Sequence, residues 1–237
     1  MSAFADSLRT AAALVTDADP VLWRTVRLSL AVSLSACAIA AGLGLAAGAW
    51  LAVARFPGRR GLLALLNTLL ALPSVVVGLV VYLLLSRSGP LGAWGILFTP
   101  GAMVIAQTIL VLPVVAALSR QLVADSLRDG GDQLQSMGAR PLTAALLILL
   151  HGRWAVATVL LTAFGRAVSE VGAVMIVGGN IDGLTRVITT TIALETSKGD
   201  LPLALALGLV LLAVVGVVNA GIALAQRAQG ADSAGAR

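Results

Sequence analysis

The 237-residue chain contains too few charged residues for a soluble globular protein. Only 11% of its residues are charged and 59% are apolar, whereas a soluble domain carries about 25% charged residues. A soluble monomer of this composition would expose more apolar area than water tolerates. The net charge of +5 comes mainly from arginines between apolar runs, which is typical of a multi-pass membrane protein and excludes the clustered basic stripe of a nucleic-acid-binding surface.

The residues before the first long apolar run predict a short helix at a membrane interface. Phe4, Leu8, Ala11, Ala12 and Val15 recur at helical spacing within residues 1–20. Asp6 interrupts this segment, so it lacks the pattern of a cleavable signal peptide.

Five apolar segments predict an all-α membrane protein with five transmembrane helices, at residues 28–54, 61–86, 100–118, 154–177 and 201–226. Segments of this length cross, or nearly cross, a hydrocarbon core of about 30 Å at about 1.5 Å per residue. The remaining residues, 228–237, are small and polar and are expected to form a disordered tail. The chain is therefore predicted to be one membrane domain over residues 1–237.

Two patterns within these segments predict helix shape and packing. Ala40, Gly44 and Gly48 recur at every fourth position, which lets helix backbones approach closely, and packing inside one subunit is favoured over a dimer contact. Pro73 predicts a kink in the second segment because proline removes a backbone hydrogen bond. Such a kink serves either packing or the shape of a pore-lining helix, and both interpretations stay open.

Residues 120–153 form the long polar interruption of the chain. Asp132 is suited to cap the N-terminus of a short helix, and Gly138 can take a positive φ at low cost, so that the chain leaves that helix abruptly. The apolar run 142–150 is too short to span a membrane and is interpreted as the rising arm of this loop. An ordinary amphipathic linker between spans is the alternative.

Arg166 and Glu170 are the ionisable residues inside the fourth apolar segment. Their spacing of four places them on one helix face, where they can pair. Charges at membrane depth are costly and normally face protein or a water-filled cavity. Two interpretations remain: a self-neutralising pair that fixes helix packing, or a face of a translocation path on which Arg166 attracts an anion.

The chain carries no recognisable catalytic or cofactor motif. One cysteine, Cys37, offers neither a disulfide framework nor metal-ligand spacing, and the sequence contains no P-loop and no Ser-His-Asp arrangement. The chain is therefore predicted to be no enzyme and to bind no cofactor. A secondary transporter would show repeated halves and a channel a filter-like string; neither pattern appears.

The polar loop resembles the cytoplasmic coupling loop of ABC importer permeases. Asp132-Gln133-Leu134 is followed after three residues by Gly138 and after nine more by Ile148-Leu149-Leu150. The family pattern has Glu-Ala-Ala, Gly and Ile-x-Leu-Pro at this spacing, so Asp132, Gln133-Leu134 and His151 are departures. In that family the loop docks in a cleft of the ATPase subunit. The resemblance implies these coupling residues: Asp132, Gln133, Leu134, Gly138, Ala139 and Ile148.

A second stretch, from Phe164 to Asp200, is similar to permease subunits of tungstate-specific ABC importers. Its E-V-G-A-V-M-I-V-G-G-N-I string and L-E-T-S-K-G-D ending favour tungstate over molybdate or sulfate, whose permeases share a looser Arg-x-x-x-Glu-x-Gly pattern. The resemblance covers about residues 20–226. By analogy it implies these residues of the translocation path or gate: Pro73, Ser74, Val76, Gly78, Arg166, Glu170 and Asn180.

This resemblance also implies an assembly and a topology. The fold would be a type I importer permease, acting as a homodimer in membrane lipid with two cytoplasmic ATPase subunits, which bind the ATP, and an extracytoplasmic binding protein. Nine basic residues lie on the face with residues 55–60 and 120–153, against six on the other face. With the coupling loop inside, the N-terminus lies outside and the C-terminus inside a prokaryotic plasma (inner) membrane.

Overall fold

The structure, a computed structural model, describes residues 3–17, 19–136 and 138–235. The side chains of residues 3–5, 132, 135, 222, 223 and 225–235 lie outside this description. Residues 236 and 237 of the predicted tail and the Phe4 side chain of the predicted surface helix therefore lie outside it.

The described residues form helices joined by turns and contain no strand, which confirms the all-α prediction. The ten α-helices are α1 (Ala3–Thr16), α2 (Pro20–Val53), α3 (Arg59–Leu70), α4 (Ser74–Leu85), α5 (Pro100–Ser136), α6 (Pro141–His151), α7 (Arg153–Val168), α8 (Gly172–Gly178), α9 (Ile188–Lys198) and α10 (Leu201–Gly235). A 3₁₀ turn, Gly92–Trp94, lies between α4 and α5.

Three helical segments of the described chain are long and apolar enough to cross a membrane by themselves: Pro20–Val53, Pro100–Gly131 and Leu201–Gly221. Two bent pairs, α3 with α4 and α6 with α7, raise the count to five if each pair is one span; their bends are 100° and 78°. The protein is thus a multi-pass membrane protein with three to five spans.

The chain divides into two compact units, residues 1–31 with 178–237, and residues 32–177. In the first unit, α1, the start of α2, α9 and α10 surround a core of Leu22, Val26, Ile188, Leu207 and Val210. The Ser29 hydroxyl accepts a hydrogen bond from the Ile188 backbone N–H at 2.9 Å. The short helix predicted near the N-terminus is confirmed as α1.

In the second unit, the small residues of α2 pack against α5. A Cβ at Gly48 would lie 2.6 Å from the Ala116 carbonyl oxygen, and one at Gly44 would lie 2.8 Å from Val115 Cβ. Ser119 Oγ also donates to the Gly44 carbonyl oxygen at 3.2 Å. The preferred interpretation of the Ala40–Gly48 pattern, close packing within one subunit, is confirmed.

Helix α5 is longer than the sequence predicted. The third span was expected to end at residue 118 and a loop to begin at residue 120, but α5 continues to Ser136. The reason is packing, since Val123 is fully buried and Leu127 lies against the cluster of Ala49, Val123 and Ala145. The polar loop is therefore a helix over its first half.

Helix α10 likewise continues to Gly235, through residues 228–235 that were expected to be a disordered tail. The segment from Ala225 to Gln229 consists of good helix formers, which extend the helix beyond the apolar run.

Candidate functional site

The first part of the candidate site is the break between α3 and α4. Pro73 is the N-cap of α4, with φ −65° and ψ 124°, and the two helices meet at 100°. Because a proline disfavours helical geometry at the preceding residue, it ends α3 and allows α4 to begin at Ser74. The predicted kink at Pro73 is confirmed, and with a bend of 100° it separates two helices.

The second part is a break that the sequence did not predict. α7 ends at Val168 and α8 begins at Gly172, so the expectation that Arg166 and Glu170 share one helix face is wrong. Glu170 is buried, and its Oε1 accepts the Ala173 backbone N–H at 3.1 Å. The carboxylate thus starts a new helix at its positive end instead of continuing the old one. Arg166 is exposed in the last turn of α7, where its charge is favourable.

The helices that follow the two breaks, α4 and α8, cross each other in close contact at two glycines, Gly78 and Gly172. A Cβ on Gly172 would lie 3.0 Å from Ser74 Oγ, and a Cβ on Gly78 would lie 2.8 Å from Ala173 Cα. A side chain at either glycine would push the two helices apart. The structure therefore brings Ser74 and Gly78, both predicted site residues, against the segment that follows Glu170.

Gln107 is a residue of this region to which the sequence assigned no role. Its side chain is 4% exposed, and Nε2 donates to the Ala167 carbonyl oxygen at 2.9 Å. That carbonyl belongs to the last turn of α7 and also accepts the Glu170 N–H at 3.2 Å. Gln107 Oε1 is buried and has no hydrogen-bond partner among the described residues. The only signal in the sequence is an amide side chain in an apolar run, which does not indicate its partner.

Two predicted path residues remain to be described, Val76 and Asn180. Val76 is 47% exposed on α4. Asn180 belongs to the other compact unit and takes a positive φ of 50° in a turn before α9. In that turn Thr185 Oγ1 accepts the Ile181 N–H at 3.0 Å, and Asp182 lies 3.2 Å from Arg24 and 3.5 Å from Arg186. Asn180 therefore lies in an ordered polar turn.

The predicted coupling residues other than Ile148 lie around the end of α5. The expectation that Asp132 begins a short helix is wrong, because the Asp132 backbone lies within α5, whose last helical residue is Ser136; the Asp132 side chain lies outside the described residues. Gly138 takes the predicted positive φ, 82°, and the Ala139 N–H bonds to the Leu134 carbonyl oxygen at 3.1 Å. This hydrogen bond is typical of a Schellman helix end.

Helix α6 follows this turn and has two different faces. One face is packed, since Ala144 and Ala145 are buried and Ile148 lies in the cluster with Ala49 and Val123. Leu142, Leu146 and Leu150 point away from it and are 46%, 45% and 73% exposed. These three, the leucine stripe, recur every four residues on one helix face. Ile148 contacts its own subunit.

No group of three His, Cys, Asp or Glu side chains that could hold a metal ion occurs in the described part of the chain. The chemistry available in these two regions is that of helix ends, hydrogen bonds and apolar contacts.

Comparison with known proteins identifies relatives over nearly the whole chain, although no protein-family model matches it. The chain is 42% identical to the tungstate uptake system permease protein TupB of Peptoclostridium acidaminophilum over 94% of this chain and 97% of the relative. It is 45% identical to a probable anion ABC transporter permease protein of Haloferax volcanii over 81% and 85% of the two chains. The TupB protein of Campylobacter jejuni is 42% identical over 69% of each chain.

Proposed function

Since the chain belongs to the family of ABC transporter permeases that includes the tungstate uptake permeases, we propose that it is the membrane subunit of an ATP-driven tungstate importer. The observation that carries this proposal is the 42% identity to a tungstate uptake permease along 94% of the chain. The Phe164–Asp200 stretch, which contains Glu170 and the break after α7, supports the same substrate.

The proposed assembly is a homodimer of five-span type I subunits with two cytoplasmic ATPase subunits and an extracytoplasmic binding protein. Five spans require that each bent helix pair supply one crossing, which its combined length and hydropathy permit, with α6 as the cytoplasmic end of its pair. The arginines of the 55–60 turn and of residues 120–153 favour the cytoplasm for that face. With five spans, the N-terminus is then outside.

In the proposed mechanism the ATPase subunit binds the turn at Gly138 and the leucine stripe of α6. The predicted coupling residues then have two roles. Those around the turn contact the ATPase: Asp132, Gln133, Leu134, Gly138 and Ala139. Ile148 instead packs α6 against its own subunit. A short helix packed on one side and apolar on the exposed side suits a partner's cleft.

Motion at α6 would pass to the crossing of α4 with α8 through α7. α7 follows α6 directly after Gly152, and its 16 residues form a rod of about 24 Å at about 1.5 Å per residue. Its far end is the break that Glu170 and Gln107 hold. We therefore place the gate at Ser74, Gly78 and Glu170, with Pro73, Val76, Arg166 and Asn180 as further positions along the path.

The test of this function is tungstate uptake in proteoliposomes that contain the permease, its ATPase and its binding protein. We expect uptake that requires ATP and both partners. Uptake by this chain alone, driven by an ion gradient, would contradict the proposal. Calorimetry on the binding protein with tungstate, molybdate and sulfate tests the substrate, and a preference for sulfate would reject tungstate.

The leucine stripe has its own test. Leu146→Asp places a charge on the proposed ATPase contact and should abolish ATPase binding, while the permease itself still folds because the side chain is exposed. Leu8→Asp, on α1 at the proposed outer face, is the matched control because Leu8 has a similar exposure, 47% against 45% for Leu146. Equal ATPase binding by both variants in a pull-down would show that the stripe is not the contact.

A further inference from the structure

A cavity of about 750 Å³ opens between the end of α2, the end of α5 and the start of α6. Its walls include Val53, Leu127 and Ala144, and its rim carries Arg55 and Arg59. All of these residues belong to the second compact unit. The cavity therefore combines an apolar wall with a positively charged rim.

The two arginines of the rim have different roles. Arg59 donates from Nε at 3.2 Å and from Nη2 at 2.9 Å to the Leu51 carbonyl oxygen. It thus stabilises the C-terminal end of α2, where a cation is favourable. Arg55 is exposed and makes no hydrogen bond or ion pair with another described residue. Its charge is available to a ligand.

The rim extends beyond these two residues. Arg60 is exposed and lines an adjoining hollow of about 400 Å³ with Arg55 and Arg59. Pro141, on the cavity wall, is in the first turn of α6, and no side chain caps that helix start. The positive end of an 11-residue helix therefore adds to the arginine charges.

We propose that this cavity binds the phosphate group of an anionic phospholipid, with part of an acyl chain along its apolar wall. Basic pockets between membrane helices suit such head groups, and an apolar wall suits a ligand that is itself partly apolar. The cavity lies at the end of α2, a helix apolar enough to span the membrane, so head groups are within reach. The leaflet assignment, cytoplasmic, rests on the proposed function.

A lipid in this cavity would contact both the end of α2 and the start of α6. α6 is the helix that we propose the ATPase moves. Anionic lipid should therefore stabilise the permease and set how firmly α6 is held.

The test measures lipid binding to the full-length purified permease by native mass spectrometry and thermal unfolding. The probes are phosphatidylglycerol, phosphatidylcholine and inorganic phosphate. We expect phosphatidylglycerol to bind in preference to phosphatidylcholine and to raise the unfolding temperature. Arg55→Gln with Arg60→Gln should weaken phosphatidylglycerol binding roughly 25-fold, at about fivefold per arginine near a membrane surface. Arg59 is left intact because it holds the end of α2.

Arg87→Gln, an exposed arginine in the segment between α4 and α5, is the matched control and should leave lipid binding unchanged. Equal binding of the two lipids, or full phosphatidylglycerol binding by the double variant, would overturn the proposal. Equal stabilisation by inorganic phosphate would show a soluble-anion site. If the double variant loses ATPase binding in phosphatidylcholine alone, the cavity belongs to the ATPase contact. None of these outcomes depends on tungstate transport, so they are distinguishable from failure of the proposed function.

Discussion

The two helix breaks that cross in the second unit are made in different ways. The break between α3 and α4 lies at Pro73, whose ring and missing N–H act through covalent structure. The break between α7 and α8 has no proline and is held by hydrogen bonds of Glu170 and Gln107. A covalent break persists in every conformation, whereas hydrogen bonds can be exchanged. We therefore expect the α7–α8 break to be the moving side of the crossing and the α3–α4 break to be the fixed side.

The largest effect should come from filling the crossing itself. Gly78→Ala places a Cβ about 2.8 Å from Ala173 Cα, and since backbone atoms cannot rotate away, overpacking of about 1–3 kcal/mol is expected. Tungstate uptake should fall sharply and the unfolding temperature should drop. Gly42→Ala, where nothing lies within 4 Å of the added Cβ, is the control in both assays. Similar behaviour of the two variants would show that the crossing is not tight in the membrane.

The next effect should come from the cap of α8. Glu170→Ala removes the acceptor of the Ala173 N–H and should cost about 1–2 kcal/mol of stability, as for other helix caps. Glu170→Gln keeps a carbonyl oxygen and should retain more uptake per ATP hydrolysed. The ratio of tungstate uptake to ATP hydrolysis measures this. If the Ala and Gln variants lose uptake equally, the negative charge of Glu170 matters and not its role as a cap.

A smaller effect is expected at Gln107. Gln107→Leu removes the hydrogen bond to the Ala167 carbonyl oxygen, but also an unpartnered buried oxygen, so the net loss should be about 1 kcal/mol or less. If this bond helps to hold the moving break, tungstate uptake should fall by a larger factor than the small loss in the free energy of unfolding would cause by itself. The control is Gln121→Leu, an exposed glutamine on the same helix. Equal uptake by both variants would remove Gln107 from the mechanism.

The smallest effect should come from Pro73→Ala. The α4 helix stays pinned by the contacts of Val75 and Gly78 with Gly172 and Ala173, so the expected loss is about 0.4–1 kcal/mol, chiefly from a more flexible unfolded chain. Distances between spin labels at exposed positions on α3 and α4 should spread toward those of a straight helix, because the covalent cause of the break is gone. An unchanged single bend would show that packing, and not Pro73, fixes this side of the crossing.

The sequence by itself determined the features that depend on a few adjacent residues. The low charge indicated a membrane protein, Pro73 indicated a break, and Gly138 indicated a turn with positive φ, because each follows from local composition or local backbone chemistry. Its motifs also indicated the permease family that the relatives confirmed.

Only the tertiary structure decided where α5 and α7 end and what Gln107 contacts. α5 continues past the polar sequence because Val123 and Leu127 pack against α2 and α6, and α7 ends where buried Glu170 bonds to the start of α8. The bond from Gln107 to Ala167 joins residues 60 positions apart. Such contacts form only after distant helices pack together, so no local pattern in the sequence could specify them.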